Sequence, residues 1–277
     1  MFPPTPQSGT RVAGLPLPEE SPVADLQIYQ FLCLSDNFGV LIHDPASGDT
    51  ASIDAPEADA VRKALRDKGW KLTHILVTHH HADHTQGIAP LKAETGCTVI
   101  GAAEAAKNAP LDRAVAGGDK LTFGGHEVDV IDTPGHTAGH ITFWIPDQKV
   151  AFVGDTLFAI GCGRVIEGTP QMMWDSLSKL ARLPGDTLIY CGHEYTLSNA
   201  KFALTIEPEN AALQARTQEV EKLRANGQMT CPTRLDQELA INPFLRPQVP
   251  AIRKRLGMES APDWQVFGEI RERKNRS

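Results

Sequence analysis

Residues 78–84 read Thr-His-His-His-Ala-Asp-His and directly follow the apolar run Ile75-Leu76-Val77. Neutral imidazole and carboxylate are the donors that borderline divalent metals prefer, so the run reads as a metal cluster. In extended backbone, residues two apart project to the same side, which aims His79 and His81 together. Asp83 and His84 lie past the bend and must point elsewhere, so four donors this close could serve two ions. The plainer reading is a polar turn of solvated histidines. The rest of the chain decides between them by whether it supplies further donors.

It does so at three strand ends. Thr133-Pro-Gly-His-Thr-Ala-Gly-His140 follows the strand-like run 128–131 and puts His136 at a glycine-containing bend, where backbone can present a side chain into a cleft. His140 opens the next strand and reads as a structural or supporting group rather than a ligand. The apolar run 150–154 ends in Asp155, a carboxylate that needs a charge partner if buried. His193, in Cys191-Gly-His-Glu194, follows the strand 187–190 in the same way. Any one of these alone reads as a turn histidine or a capping aspartate. Together they give five histidines and two aspartates, a set that suits two four- or five-coordinate ions if one aspartate bridges. Two ions about 3.5–4 Å apart hold a bridging hydroxide, polarise a carbonyl beside it, and yield hydroxide at neutral pH. No G-x-S-x-G elbow offers a serine alternative. Asp54, after the strand 50–53, either hydrogen-bonds a ligand histidine or caps the helix that follows.

These donors need strands to carry them. Strand-like runs fall at 26–34, 39–43, 50–53, 72–77, 97–101, 120–123, 126–132, 140–145, 149–153 and 187–191, divided by Gly- and Pro-rich turns. Helical patterns cover 57–69, 86–95 and 170–183, the last with Met173, Leu177, Leu180 and Leu183 as a core stripe. Beyond about 195 the texture becomes helical: 197–226 with a break near Pro208, a loop-like 242–250, and a charged helix over 261–275. The reading is a Pro-rich arm over 1–24, a mixed α/β domain over 25–195 and a smaller helical domain over 196–277.

The net charge of −7 excludes the basic footprint of a nucleic-acid binder. From Arg246 to Ser277, eight Lys/Arg face four Asp/Glu, so a tail of +4 sits on a body of −11. Such a tail serves an anionic ligand or is simply a solvated helix. Five scattered cysteines without a CxxC fit a reducing compartment, and no secretory signal or roughly 20-residue apolar span is present, so the expectation is a cytoplasmic, membrane-free protein.

The motif T-H-x-H-x-D-H with later His, Asp and His resembles the metallo-β-lactamase superfamily. More narrowly, Gly161-Cys-Gly-Arg-Val-Ile-Glu-Gly168, Tyr190-Cys-Gly-His-Glu-Tyr195 and Asn242-Pro-Phe244 resemble the hydroxyacylglutathione hydrolase, or glyoxalase II, family. The resemblance covers about residues 26–277. It implies an αββα sandwich with a C-terminal α-helical domain over the site. It implies that His79, His81 and His136 hold one metal, that Asp83, His84 and His193 hold the other, and that Asp155 bridges them. Zinc is the first expectation, with iron or manganese as alternatives. Asp83 and Asp155 would serve catalysis with the metal-bound hydroxide. The implied reaction is hydrolysis of S-D-lactoylglutathione and related 2-hydroxyacyl glutathione thioesters, as in methylglyoxal detoxification, by a monomeric enzyme. Glutathione contacts would come from Arg164, Tyr195, Arg271 and Lys274, which gives the basic tail a reason, because glutathione carries two carboxylates. The chain departs from the family at Ile166, where an aromatic residue often stands. The rival readings are a mononuclear iron glutathione-persulfide dioxygenase of the same superfamily and a metal-binding scaffold without activity.

Overall fold

The computed structural model describes residues 25–277; the Pro-rich arm expected over 1–24 lies outside the described residues. The first half builds one sheet from β1 (Gln27–Cys33), β2 (Asn37–His43), β3 (Thr50–Ile53), β4 (His74–Val77), β5 (Thr98–Ala102) and β6 (Arg113–Val115), in that spatial order. The β1–β2 and β2–β3 pairs are antiparallel and the later pairs parallel. Parallel neighbours need crossovers. These are α1 (Ala58–Lys68) between β3 and β4, then α2 (Ala82–Thr85) and α3 (Ile88–Thr95) between β4 and β5. Helix α1 stops at Gly69, whose φ of 70° lets its N–H turn back to the Arg66 carbonyl.

The second sheet holds β7 (Lys120–Phe123), β8 (His126–Asp132), β9 (Ile141–Ile145), β10 (Val150–Gly154) and, after the small hairpin β11 (Leu157–Phe158)–β12 (Gly161–Cys162), the strand β13 (Leu188–Cys191). Helix α4 (Pro170–Leu180) leads into β13; Thr169 caps it by accepting the Met172 N–H, and Pro170 takes the first turn, where no amide is needed. The tail is α5 (Thr196–Ile206), α6 (Ala211–Ala225), β14 (Thr233–Arg234), α7 (Leu235–Ile241), α8 (Pro250–Leu256) and α9 (Asp263–Asn275).

Side-chain alternation makes the layers. On β2, Val40 and Ile42 join Ile53, Leu76, Val130, Phe143 and Phe152 in the core between the sheets, while Leu41 joins Val61, Ile75, Ile88 and Leu91 beneath α1 and α3. The outer face of the second sheet, with Ala151, Val153 and Ile189, meets Leu177 and Leu180 of α4 and Phe267 and Ile270 of α9. Each fully buried large side chain contributes roughly 2 kcal/mol. The arrangement is an αββα sandwich whose helical tail shares the second outer core.

Three features differ from the sequence expectation. The strands β6, β11, β12 and β14 are two or three residues long and show no periodicity from which to read them. Helices α7 and α8, seven residues each, are equally silent, and the loop-like 242–250 contains a 3-10 turn at Pro243–Leu245. Nor is the tail helical throughout: β14 pairs with β13 at the edge of the second sheet.

Strand direction positions the chemistry. Strands β8 and β10 are both antiparallel to β9 and therefore parallel to each other, and β13 is parallel to β10. The C-terminal ends of β3, β4, β8, β10 and β13 thus open on one edge of the sandwich, and Asp54, His79, His136, Asp155 and His193 follow them. Clefts at carboxyl ends of strands are where α/β sheets hold ligands.

Candidate active site

At that edge, two groups of donors form. One donor atom each of His79, His81 and His136 lies within 4.8 Å of the others, and the same is true of Asp83, His84 and His193. Asp155 stands between the groups: Oδ2 is 3.4 Å from His136 Nε2 and 3.3 Å from His193 Nε2, and Oδ1 is 3.3 Å from His84 Nε2. Among the candidate ligands Asp83 is the open one, its side chain 45% exposed on the cleft floor, with Oδ2 3.4 Å from His193 Nε2.

The donor set fits metal ions. His81 Nδ1 and His136 Nε2 are 3.0 Å apart, and His84 Nε2 and His193 Nε2 are 3.3 Å apart. Two nitrogens bound to one tetrahedral zinc would stand roughly 3.3 Å apart. His79 Nε2 and Asp155 Oδ1 are buried without a hydrogen-bond partner, a costly state that a cation would relieve. Burial, with His84 and His140 nearby, holds His79 well below the ordinary imidazole range, so its lone pair is free to bind. Burial would also lower His84, but Asp155 and Asp54 hold it well above that range. Burial alone would raise Asp155; His84 and His193 keep it well below the carboxylate range. His84 and His193 thus hold the Asp155 carboxylate in its charged form, the form that can bind a cation.

The far side of each imidazole is held. His84 Nδ1 donates to Asp54 Oδ2 at 2.8 Å, His193 Nδ1 to Asp36 Oδ1 at 2.9 Å, and His136 Nδ1 to the Arg164 carbonyl at 2.9 Å. Each such bond fixes the tautomer and turns Nε2 inward. Of the two readings of Asp54, the structure takes the histidine-bonding one: Asp54 also accepts the Thr78 N–H and hydroxyl, while the residue before α1 is Glu57. Asp54 adopts φ 54°, unusual for a residue with a side chain, to aim its carboxylate this way. His140 belongs to neither group; it accepts the Asp155 N–H at Nε2 and stacks on His79. Gly154 and Gly192 allow this crowding, since a Cβ there would meet His140 Nε2 or Asp155 Oδ1.

Sequence reasoning missed Asp36 and Asn37. Asn37 donates to the Asp83 carbonyl at 3.0 Å and to its carboxylate at 3.3 Å. Their only signal was an Asp-Asn turn after β1, and the Asp36 partner lies 157 positions along the chain.

A cleft of about 480 Å³ runs from the donor groups to the tail and is lined by Arg164, Tyr195, Arg271 and Lys274, with Ile166 at its rim. Tyr195 stacks on His193 with ring centroids 4.7 Å apart, and burial raises its phenol, which stays a donor. Arg271 is buried; it donates to the Cys162 carbonyl at 2.8 Å and lies over Phe244. Lys274 Nζ reaches Ser198 Oγ at 2.9 Å, and burial together with Arg271 lowers its pKa.

This geometry meets its counterpart in known proteins. Residues 36–193 match the model of the metallo-β-lactamase superfamily, and residues 194–277 match the model described as hydroxyacylglutathione hydrolase C-terminus. Proteins of Brucella ovis and Brucella abortus named hydroxyacylglutathione hydrolase are 57% identical over 251 residues, 90% of this chain and 98% of theirs. The chain belongs to the hydroxyacylglutathione hydrolase family. Its fold is also that of a metallo-β-lactamase from Staphylococcus aureus, at 22% identity and a TM-score of 0.62 over 91% of this chain and 72% of that one. Members of this family are thioester hydrolases, and the histidine–aspartate groups described above suit divalent metals. Among the described residues, no helix is long and apolar enough to cross a membrane.

Proposed function

We propose that this chain hydrolyses hydroxyacyl thioesters of glutathione, S-D-lactoylglutathione foremost, to the hydroxy acid and glutathione. The observation that carries the reading is one cleft with two donor groups about Asp155 at its floor and Arg164, Arg271 and Lys274 along its wall. His79, His81 and His136 would hold one divalent ion and Asp83, His84 and His193 the other, with Asp155 shared; zinc fits nitrogen-rich sites of this kind. When bound, the pair supplies Lewis acidity and a water acidic enough to ionise at neutral pH.

The protein's own part is positioning. The guanidinium and ammonium groups pair the two glutathione carboxylates and lay the thioester along the cleft. Asp83, half exposed to the cleft and steadied by Asn37, would orient a nucleophilic water or take its proton beside its first duty of holding the second ion. Asp54 and Asp36 keep His84 and His193 in the tautomer that faces inward. The glutathione thiolate departs without needing a general acid, since thiolate is a stable leaving group. Residues 25–195 would carry the chemistry together with Arg164 and Tyr195, and residues 196–277 would add the contacts of Arg271 and Lys274, in a monomer. All five cysteines are free and buried, in keeping with a reducing cytoplasm.

The test is the zinc-loaded protein with S-D-lactoylglutathione, following loss of thioester absorbance and the release of D-lactate and free thiol. One-for-one release supports the reading. Oxygen uptake with glutathione persulfide and no thioester cleavage would replace it with the dioxygenase alternative.

A further inference from the structure

One histidine of the opening run has no part in the site described so far. Extended backbone sends His79 and His81 to the donor groups, and His80, between them, turns the other way. Its side chain is 12% exposed and sits between two carboxylates: Nδ1 is 3.3 Å from Glu104 Oε1, and Nε2 is 3.2 Å from Glu167 Oε1. The buried Nδ1 makes no hydrogen bond, so Glu104 lies against it without being bonded to it.

Both glutamates hold the loop that carries His136. Glu104 accepts the Thr137 hydroxyl and, at 2.7 Å, the Gly139 N–H. Glu167 accepts the Ala138 N–H at 2.9 Å, and its own N–H donates to the His136 carbonyl at 3.3 Å. Glu167 also belongs to the segment that presents Arg164, whose carbonyl accepts His136 Nδ1–H. The His80 carbonyl in turn accepts from Asn108. Two carboxylates converging on one spot repel, and the polar His80 ring, which can donate to one of them at a time, is the group that stands between them here.

We propose that His80, between Glu104 and Glu167, is a positioning residue that sets the spacing of His81 and His136 and hence the grip of the first donor group on its ion. The proposal rests on the two-ion reading above. Without His80, the carboxylates move apart and take the 137–139 backbone with them. The second group is anchored independently, through Asp54, Asp36 and Asn37, and is spared.

The experiment is zinc binding by the full chain in competition with a chelator, with ion positions assigned by anomalous scattering. Wild type should hold two ions. His80→Phe, similar in size but without donors, should lose the ion of the His79/His81/His136 group with affinity down roughly 10–100-fold, while the other is kept. His80→Gln, which restores a donor toward Glu167, should recover part of the loss. Glu167→Gln, at a more open position, should weaken the same ion by less. Circular dichroism of the apo forms checks that each variant folds; should His80→Phe fail to fold, Glu167→Gln carries the test. Two ions at wild-type affinity in both variants, or equal loss from both groups, would overturn the proposal while leaving the two-ion reading intact. A wild type that binds fewer than two ions would remove that reading and the proposal with it.

Discussion

The two ends of the cleft are built on opposite principles. At the donor end, His79, His84, His136 and His193 are nearly or fully buried, and for the last three a second ring nitrogen is tied to a carboxylate or carbonyl. At the tail end, cations on long side chains rest against the protein's own groups: Lys274 on Ser198, and Arg271 on the Cys162 carbonyl. A buried donor that moves leaves an unpaired polar group, so the first end is over-determined. At the second end the exposed Lys274–Ser198 contact is one that water or a ligand carboxylate can replace, although Arg271 beside it is buried. One end is thus suited to chemistry that needs fixed distances, the other to graded affinity.

The sharpest way to break this contrast is at the donor end. His136→Ala, or stripping of metal by a chelator, should lower turnover on the order of a thousandfold or more, since both remove the water activation on which hydrolysis rests. Metal analysis and steady-state rates check it; a metal-replete, active His136→Ala would sink the assignment. Next comes Asp54→Asn, which tolerates the same backbone angle but removes the charge opposite His84. Zinc affinity should fall about 10–100-fold, measured by chelator competition, with KM little changed. At the other end, Lys274→Ala should raise KM about tenfold and leave kcat nearly as it was, the mark of lost ground-state binding. Equal loss of kcat would show that the cationic end also shapes the transition state. The smallest effect belongs to the rim. Ile166, 57% exposed, changed to Tyr should lower KM by about threefold, by adding one stacking or hydroxyl contact.

Legibility in the sequence followed the same divide. The seven candidate donors stood out as a set, because they fall in loops that follow apolar strands, although each alone reads as an ordinary turn residue. The long strands and helices were readable from period and punctuation, as with α4 after Thr169-Pro170 and α1 before Gly69. Asp36 and Asn37 were not, because an Asp-Asn turn looks the same whether or not it faces a histidine. The short β14 was hidden for a related reason: two residues become a strand only when β13 lies beside them.

Donor chemistry and element type are local properties, set by side-chain identity and backbone period, and the chain states them residue by residue. Which donors share an ion, which carboxylate holds which imidazole, and which way His80 faces depend on strands from two sheets ending at one edge. That juxtaposition joins residues from Asp36 to Lys274, and only the packing of the sandwich and its tail decides it.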